Sequence, residues 1–584
     1  MNGATGAATE IIPVVFDGHS GSLHRPSTRT GNGAAVIICA PAGRDARWTY
    51  HALFHWAEQL ACEGYLVLRY DLLGEGDSLG LDDAADQWAA WVKGVRQAAD
   101  FVRTQTGVSQ LFVCGLRIGA TLACVAAEGV KPDGLILWDP LPSGKAWLKE
   151  LRLAYAMQIG AHSDDDTIEC NGLYLSAATI QALEAVDIAH LKTEWPPLLL
   201  ASPVGAKRLL SVFGDQADST PFAGYTLFFK DSYVNQAPDE LFKSTRQWLE
   251  KHLAPSSATI MPSVPSGILQ ADNWREERVC FGQGLRGVLC LPLQNTGGQA
   301  VIFGNTGGDP RAGVANFSTR ASRLLAAQGI AALRFDFSGL GESEGSDVHV
   351  YETDRTPEIK EAAVLLTGRG FADVTTAGVC TGGFHAVRAV LGDSGISRAV
   401  AINAWLLWEQ GRELDRAAHV ESMRSVYLKA PVQARKWVRL AREALHSHIL
   451  SRLAGLKRSF FPHPAAQAAR LQFAKATAAR DIHIQVLAGA MDLSLEGLEH
   501  FGPRGRWLAR QKGISIAVLP ELDHALTTKK SQKEAIKALL SFLSATSSKD
   551  RTTDRSQAAP AANDLPSSGK KFVERTTANL LPEA

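Results

Sequence analysis

VIICAPAGRDARWTYHALFHWAEQLACEGYLVLRYDLLGEGDSLG, residues 36–80, realigns without a gap onto VIFGNTGGDPRAGVANFSTRASRLLAAQGIAALRFDFSGLGESEG, residues 301–345. Val36, Asp71, Gly74, Gly76, Ser78 and Gly80 face Val301, Asp336, Gly339, Gly341, Ser343 and Gly345. Farther on, LFVCGLRIGATLA faces VTTAGVCTGGFHA. Self-similarity at this range marks one structural unit used twice. In each copy a short β-branched run (Val36 to Cys39; Val301 to Phe303) leads into a glycine-bearing loop, then a helix-period stretch and a second apolar run ending in Asp. Another helix and a third apolar run follow. Strands that alternate with helices need right-handed parallel crossovers, so each copy predicts a doubly wound α/β sheet covered on both faces.

Size and composition agree with two such bodies. A chain of 584 residues exceeds what one core sustains. Apolar residues at 46% and charged residues at 21% describe a globular chain, and 60 basic against 60 acidic residues remove any global attraction to nucleic acid. Upstream of each repeat, Phe16 and Phe281 begin glycine-punctuated segments that read as antiparallel edge hairpins. Pro and Ser cluster over residues 253–267, which sets domains at 1–255 and 268–545. Residues 546–584, rich in Ser, Thr, Pro, Ala and Lys without an apolar period, read as a disordered tail. The first fifteen residues lack a basic segment followed by an apolar one, and no apolar run reaches about eighteen residues, so the expectation is a cytoplasmic protein without a transmembrane segment. The eight cysteines show no CxxC pair and most sit in apolar runs, the usual place of a reduced core thiol. Nothing in the spacing of Cys, His, Asp and Glu calls for a metal or a cofactor, and the oligomeric state stays open.

The exception among the thiols is Cys380. In GVCTGG it lies between Gly378 and Gly382 after a strand-like run and before a helix, the G-x-nucleophile-x-G elbow of an α/β-hydrolase. An acid belongs at the end of a later strand, and IHIQVLAGAMD releases Asp492 there. A histidine belongs after the next strand, and ISIAVLPELDHAL delivers His524. A thiol becomes a strong nucleophile when an oriented imidazole takes its proton, so Cys380, His524 and Asp492 form the expected triad. Asp523 and Glu496 are alternative acids. Backbone N–H groups of Thr381 and of the loop from Asn305 through Thr306 to Gly308 are the expected oxyanion hole. His385, His483 and His500 read as packing residues. The fold class is therefore α/β, two tandem α/β-hydrolase-like sheets.

The first half departs at the decisive position. Its elbow reads GLRIGA, which puts Arg117 where the nucleophile belongs, and no histidine follows at the place of His524. A guanidinium does not deprotonate and cannot attack a carbonyl. Arg117 then either binds a carboxylate or phosphate at a helix N-terminus, or pairs with an internal acid such as Asp71 or Asp139. In the second half, residues 404–480 break the strand–helix rhythm and read as a helical lid. The segment is basic, with Arg435, Lys436, Arg439 and Arg442 among its charges, and it suggests recognition of an anionic acyl carrier or a membrane-surface substrate against the alternative of a solvated face.

The two halves resemble the exosortase A system-associated hydrolases of types 2 and 1, in that order. The first resembles type 2 through YDLLGEGDS, GLRIGATLA and LILWDPLPSGKAWLKELR, with Arg at the elbow. The second resembles type 1 through GGDPRAG, LRFDFSGLGESEG, GVCTGG, INAW and LDHALT, with Cys at the elbow. The likeness covers roughly residues 30–160 and 275–545. It implies a setting in bacterial exopolysaccharide gene clusters, and two departures stand out: the halves are fused in one chain, and Thr381 replaces a more usual Asp. The expected activity is acyl transfer from a small-molecule ester or thioester, including acyl-CoA or an acyl carrier protein, to water or to a hydroxyl group. The competing expectation is an inactive scaffold whose basic lid docks an anionic partner.

Overall fold

The computed structural model describes residues 9–26, 31–159, 166–255, 264, 267–407 and 464–554, with breaks at 192, 204–206, 231–234, 295–297, 346–349 and 491. The first half runs through β1 (Thr9–Phe16), β2 (His19–Pro26), β3 (Ala34–Cys39), β4 (Leu66–Tyr70), β5 (Gln110–Leu116) and β6 (Gly134–Trp138). A small separate hairpin, β7 (Ile168–Cys170) and β8 (Leu173–Leu175), precedes β9 (Leu198–Ser202) and β10 (Ala217–Pro221). The second half runs through β11 (Ile268–Gln270), β12 (Trp274–Phe281), β13 (Leu285–Pro292), β14 (Gln299–Phe303), β15 (Ala331–Phe335), β16 (Asp373–Val379), β17 (Arg398–Ile402), β18 (His483–Gly489) and β19 (Ile514–Leu519).

The two sheets have one connectivity. Their orders are β1-β2-β4-β3-β5-β6-β9-β10 and β11-β12-β13-β15-β14-β16-β17-β18-β19. Each has an antiparallel hairpin toward one edge, closed by Phe16 and by Phe281, with β11 added outside it in the second sheet, and parallel strands beyond, the repeat's first two strands exchanged in space. That is the α/β-hydrolase sheet, built twice. The central strands β3, β4, β6, β15 and β17 are buried along their whole length because both faces are covered. Alternate residues of β3 serve opposite cores, Ala35, Ile37 and Cys39 on one side and Ala34, Val36 and Ile38 on the other. In β14, Ala300 and Ile302 separate from Val301 and Phe303 in the same way.

The helix that closes the second half spans Lys529–Asp554, past the point where a disordered tail was expected to start at 546. Ala535, Ile536, Leu539 and Leu543 bury one stripe of it against the sheet, and a helix held by its packed turns propagates into residues with no apolar period of their own. Of the lid, residues 408–463 lie outside the described residues, among them Arg435, Lys436, Arg439 and Arg442. Ala404–Leu407 and a helix at Pro464–Ala479 are what is described.

The halves meet through buried ion pairs that occur in equivalent couples. Arg69 Nη1 lies 3.2 Å from Glu342 Oε1, and its repeat equivalent Arg334 lies 3.1 Å from Asp77 Oδ1, the equivalent of Glu342. Gly341 O is 2.9 Å from His51 Nδ1, and the equivalent Gly76 N–H donates to Asn316 Oδ1 over 3.2 Å. Residue i meeting j while j meets i is the signature of a two-fold isologous contact, here formed within one chain. Arg311, outside this symmetry, adds contacts to Asp77 at 2.9 Å, Asp336 at 2.9 Å and Glu342 at 3.0 Å.

Candidate active site

Cys380 is the single residue between β16 and the helix Thr381–Leu391, with φ 53° and ψ −116°. A side chain held in that region costs on the order of 1–3 kcal/mol, and its surroundings must enforce it. The flanking glycines make the turn possible. A Cβ on Gly378 would stand 2.3 Å from the carbonyl carbon of Gly382, and one on Gly382 would stand 2.8 Å from Asn305 O.

The base and acid arrive from the expected strand ends. His524 follows β19, Asp492 follows β18, and the imidazole Nδ1 lies 2.6 Å from Asp492 Oδ2. Asp492 Oδ1 also accepts the Ser494 N–H over 2.8 Å, which fixes the carboxylate. The imidazole also neighbours the Cys380 thiol and acts on its charge. Asp523 is spent elsewhere: its carboxylate accepts from the Thr527 N–H and hydroxyl, and holds the turn that carries His524.

The electrostatics follow from these contacts. Burial pushes the Cys380 thiol up, but the contact and charge of His524 outweigh it, and the thiol settles below its ordinary value. Burial works against the His524 imidazolium, yet Asp492 and Cys380 hold it well above the usual histidine range. Asp492 resists its own burial through the His524 and Ser494 hydrogen bonds and stays below the usual carboxylate range. The thiol is thereby biased toward thiolate and the imidazole toward imidazolium, with the carboxylate behind it. By contrast, burial pushes Cys39 up to about 12 and Cys170 up to about 11, and it raises Cys114, Cys124 and Cys290 as well.

Two further residues belong to the site. Asn403, at φ 48° just past β17, donates from Nδ2 to Asp523 O over 2.8 Å and to His524 O over 3.1 Å, while its Oδ1 accepts the Gly489 N–H over 2.8 Å. One amide thereby spaces the acid strand against the histidine loop. The Tyr351 hydroxyl lies 3.4 Å from Cys380 Sγ and also lowers the thiol's proton affinity. Its ring packs against Phe384 at 5.5 Å, and the preceding residue's carbonyl, Val350 O, lies 2.7 Å from His385 Nε2. Of these, Asn403 sits inside INAW, where a polar residue directly after an apolar strand was the available signal; Tyr351 had none.

Around the expected oxyanion hole, the Thr381 hydroxyl accepts the Gly307 N–H over 2.6 Å, which ties the loop after β14 to the elbow and occupies that amide. The Asn305 side chain points inward: Nδ2 donates to Asp309 O and Asp336 Oδ1, and Oδ1 accepts the Phe337 N–H. The Thr381 N–H begins a helix and so has no intrahelical acceptor.

In the first half the same elbow is built around Arg117, at φ 55° and ψ −120°. The guanidinium is ion-paired to Asp45 at 3.3 Å, to Asp139 at 2.9 Å and to Glu150, and it also meets the Tyr225 hydroxyl at 3.2 Å. These carboxylates saturate the positive charge. An incoming carboxylate or phosphate would meet them first, so the anion-binding expectation for Arg117 gives way to the internal pairing with Asp139. Asp139 occupies the strand-end position that Asn403 occupies in the second half, and both have positive φ.

Sheet order and elbow together define an α/β-hydrolase-fold protein. Residues 34–161 match the serine aminopeptidase S33 family, Hydrolase_4, so the matched stretch is the half whose elbow carries Arg117. No curated protein matches the chain. Among solved structures, the chain is similar to an α/β serine hydrolase without lid from Xanthomonas campestris, at 14% identity over 44% of this chain and 100% of that one, TM-score 0.29. It is also similar to Est1E from Butyrivibrio proteoclasticus, with ferulic acid bound, at 14% identity over 41% and 98%, TM-score 0.31. The Pyrococcus furiosus esterase Pf2001 is 15% identical over 46% and 92%, TM-score 0.31. Among the described residues no helix is long and apolar enough to cross a membrane.

Proposed function

We propose that the second half is an acyl-transfer enzyme that opens ester or thioester bonds through a thioester on Cys380. The observation that carries this reading is the 2.6 Å contact of His524 with Asp492 beside Cys380 at the elbow, with the thiol lowered and the imidazole raised. In the first step Sγ attacks the acyl carbonyl, and the His524 imidazolium gives its proton to the departing alcohol or thiol. In the second, neutral His524 takes a proton from water, or from an acceptor hydroxyl, which attacks the thioester and frees the thiolate. The Thr381 N–H and the amides of Asn305 and Thr306 would hold the oxyanion. The basic run Arg435, Lys436, Arg439 and Arg442 supports an acyl donor with an anionic carrier, such as acyl-CoA or an acyl carrier protein. The likeness to exosortase-associated hydrolases supports a place in exopolysaccharide metabolism. The first half serves as a non-catalytic partner, since Arg117 replaces the nucleophile and is neutralised by Asp45, Asp139 and Glu150. The test is a panel of p-nitrophenyl esters and acyl-CoA thioesters assayed with wild type and Cys380→Ala. Turnover that disappears in the variant supports the mechanism, and turnover retained at the wild-type rate removes it.

A further inference from the structure

We propose that the β7–β8 hairpin of the first half is a positioning element for the loop that carries His524, so that the half without a nucleophile positions the base of the half that has one. The inference rests on the triad reading above. The hairpin is specified locally: Glu169 pairs with Tyr174 and Cys170 with Leu173, and Asn171 and Gly172 between them have φ of 52° and 82°. Asn-Gly with both residues left-handed is the favoured two-residue hairpin turn. Side chains alternate across it. Ile168, Cys170, Leu173 and Leu175 sink into the first half's core and anchor the hairpin there, while Glu169 and Tyr174 on the other face meet Lys529 of the second half.

The tip and the outer face of the hairpin reach the residues just past His524. The Gly172 N–H donates to Thr527 O over 3.1 Å. Gly172 O accepts from Arg320 Nη2 over 2.9 Å, and Arg320 Nη1 donates to Gln532 Oε1 over 2.9 Å. Gln532 Nε2 closes the ring by donating to Leu526 O over 2.8 Å and to Ala315 O over 3.0 Å. The tip has to be glycine, because a Cβ on Gly172 would stand 2.4 Å from Ala315 O. Glu169 accepts the Lys529 N–H at the start of the closing helix, where a carboxylate also meets the positive end of the helix dipole. The Lys529 ammonium lies 3.5 Å from the centre of the Tyr174 ring and pairs with Asp83, again from the first half. Between the base and that helix the chain makes one tight turn, with Leu526 at φ 48° and the Asp523 carboxylate bound by the Thr527 N–H and hydroxyl. Asn403 ties the upstream end of this turn through Asp523 O and His524 O, and the hairpin ties its downstream end through Thr527 and Lys529. Without the hairpin contacts the loop keeps one tie of two. The imidazole then leaves its place between Asp492 and Cys380, and a displacement of about 1 Å can cost on the order of a hundredfold in rate.

The test compares two double variants of the full chain. Glu169→Ala with Tyr174→Ala removes the outer face and leaves the buried stripe intact, whereas Glu169→Gln with Tyr174→Phe keeps the acceptor oxygen and the ring. Two quantities are measured: hydrogen–deuterium exchange of the backbone amides of residues 523–532, and kcat and KM for a p-nitrophenyl ester. The alanine variant should exchange about tenfold faster in that segment. Its kcat should fall on the order of tenfold with KM unchanged, and the conservative variant should restore both. A hairpin that only joins the halves would leave kcat alone. Unchanged exchange, or faster exchange at the wild-type kcat, overturns the positioning role, while Cys380-dependent turnover of the wild type leaves the triad reading standing. A wild type without Cys380-dependent turnover removes the triad reading and this role together.

Discussion

At the scale of single residues, the pH profile is where the site geometry becomes measurable. The proposed mechanism needs Cys380 as thiolate and His524 as imidazolium. The acid limb of kcat/KM belongs to formation of this pair, and it moves to lower pH because the thiol is held below its ordinary value. The basic limb belongs to loss of the His524 proton, and it moves to higher pH because Asp492 and Cys380 raise that group. Tyr351→Phe removes a hydroxyl that favours the thiolate, so the acid limb should shift upward by less than about one pH unit while KM stays unchanged. If Tyr351 only filled space, the variant would lower the rate equally at every pH. Asp492→Asn should instead bring the basic limb down, since the imidazolium loses its brace. The proposed triad could be put together from the sequence because chain order and strand ends constrain nucleophile, acid and base separately, and the contact of His524 with Asp492 agrees with that placement. Tyr351 was not legible there, because its loop follows no period and the side chain meets the thiol and Phe384 only through tertiary packing.

At the scale of elements, the two elbows show what backbone alone determines. Arg117 and Cys380 share φ and ψ within a few degrees, so the strained turn persists where the chemistry has been replaced. Glycine requirements carry it: a Cβ on Gly119 would sit 2.2 Å from Cys39 O, just as Gly382 is confined by Asn305. Arg117→Ser, combined with Cys380→Ala, should show no esterase activity above background, because the first half supplies no base. Arg117→Ala should destabilise the protein by on the order of 3 kcal/mol in urea unfolding, since Asp45 and Asp139 are left facing each other without a cation. Glu150→Gln should cost under about 1 kcal/mol, because its carboxylate is half exposed and the other two acids remain. Equal losses in both variants would contradict this division of the cluster. The repeat made the strands and elbows readable. The internal partners of Arg117 were only partly so: Asp139 stood among the alternatives, whereas Asp45 and Glu150 come from helices whose approach no local pattern encodes.

At the scale of the whole molecule, the seam between the halves converts a duplicated sequence into a self-complementary contact. The aligned positions Arg69 and Arg334, Asp77 and Glu342 were visible in the repeat, but alignment cannot say that equivalent residues face each other across a pseudo-two-fold axis. Glu342 offers the sharpest test. Its burial alone would raise its pKa, but Arg311, Arg69 and the Tyr50 hydroxyl bring it down to about 2 from an ordinary 4.5. A carboxyl lowered by folding contributes stability that is fully present above its unfolded value and disappears as pH falls through its folded one. The contribution, about 3 kcal/mol if the whole shift is realised, should therefore be lost between about pH 4.5 and pH 2. Glu342→Gln keeps the shape of the side chain and removes the titration, so its urea midpoint should sit below that of wild type at pH 7, with the gap narrowing steadily toward pH 2. Parallel curves for wild type and variant across that window would mean that Glu342 is not held ionised by the arginines at the seam.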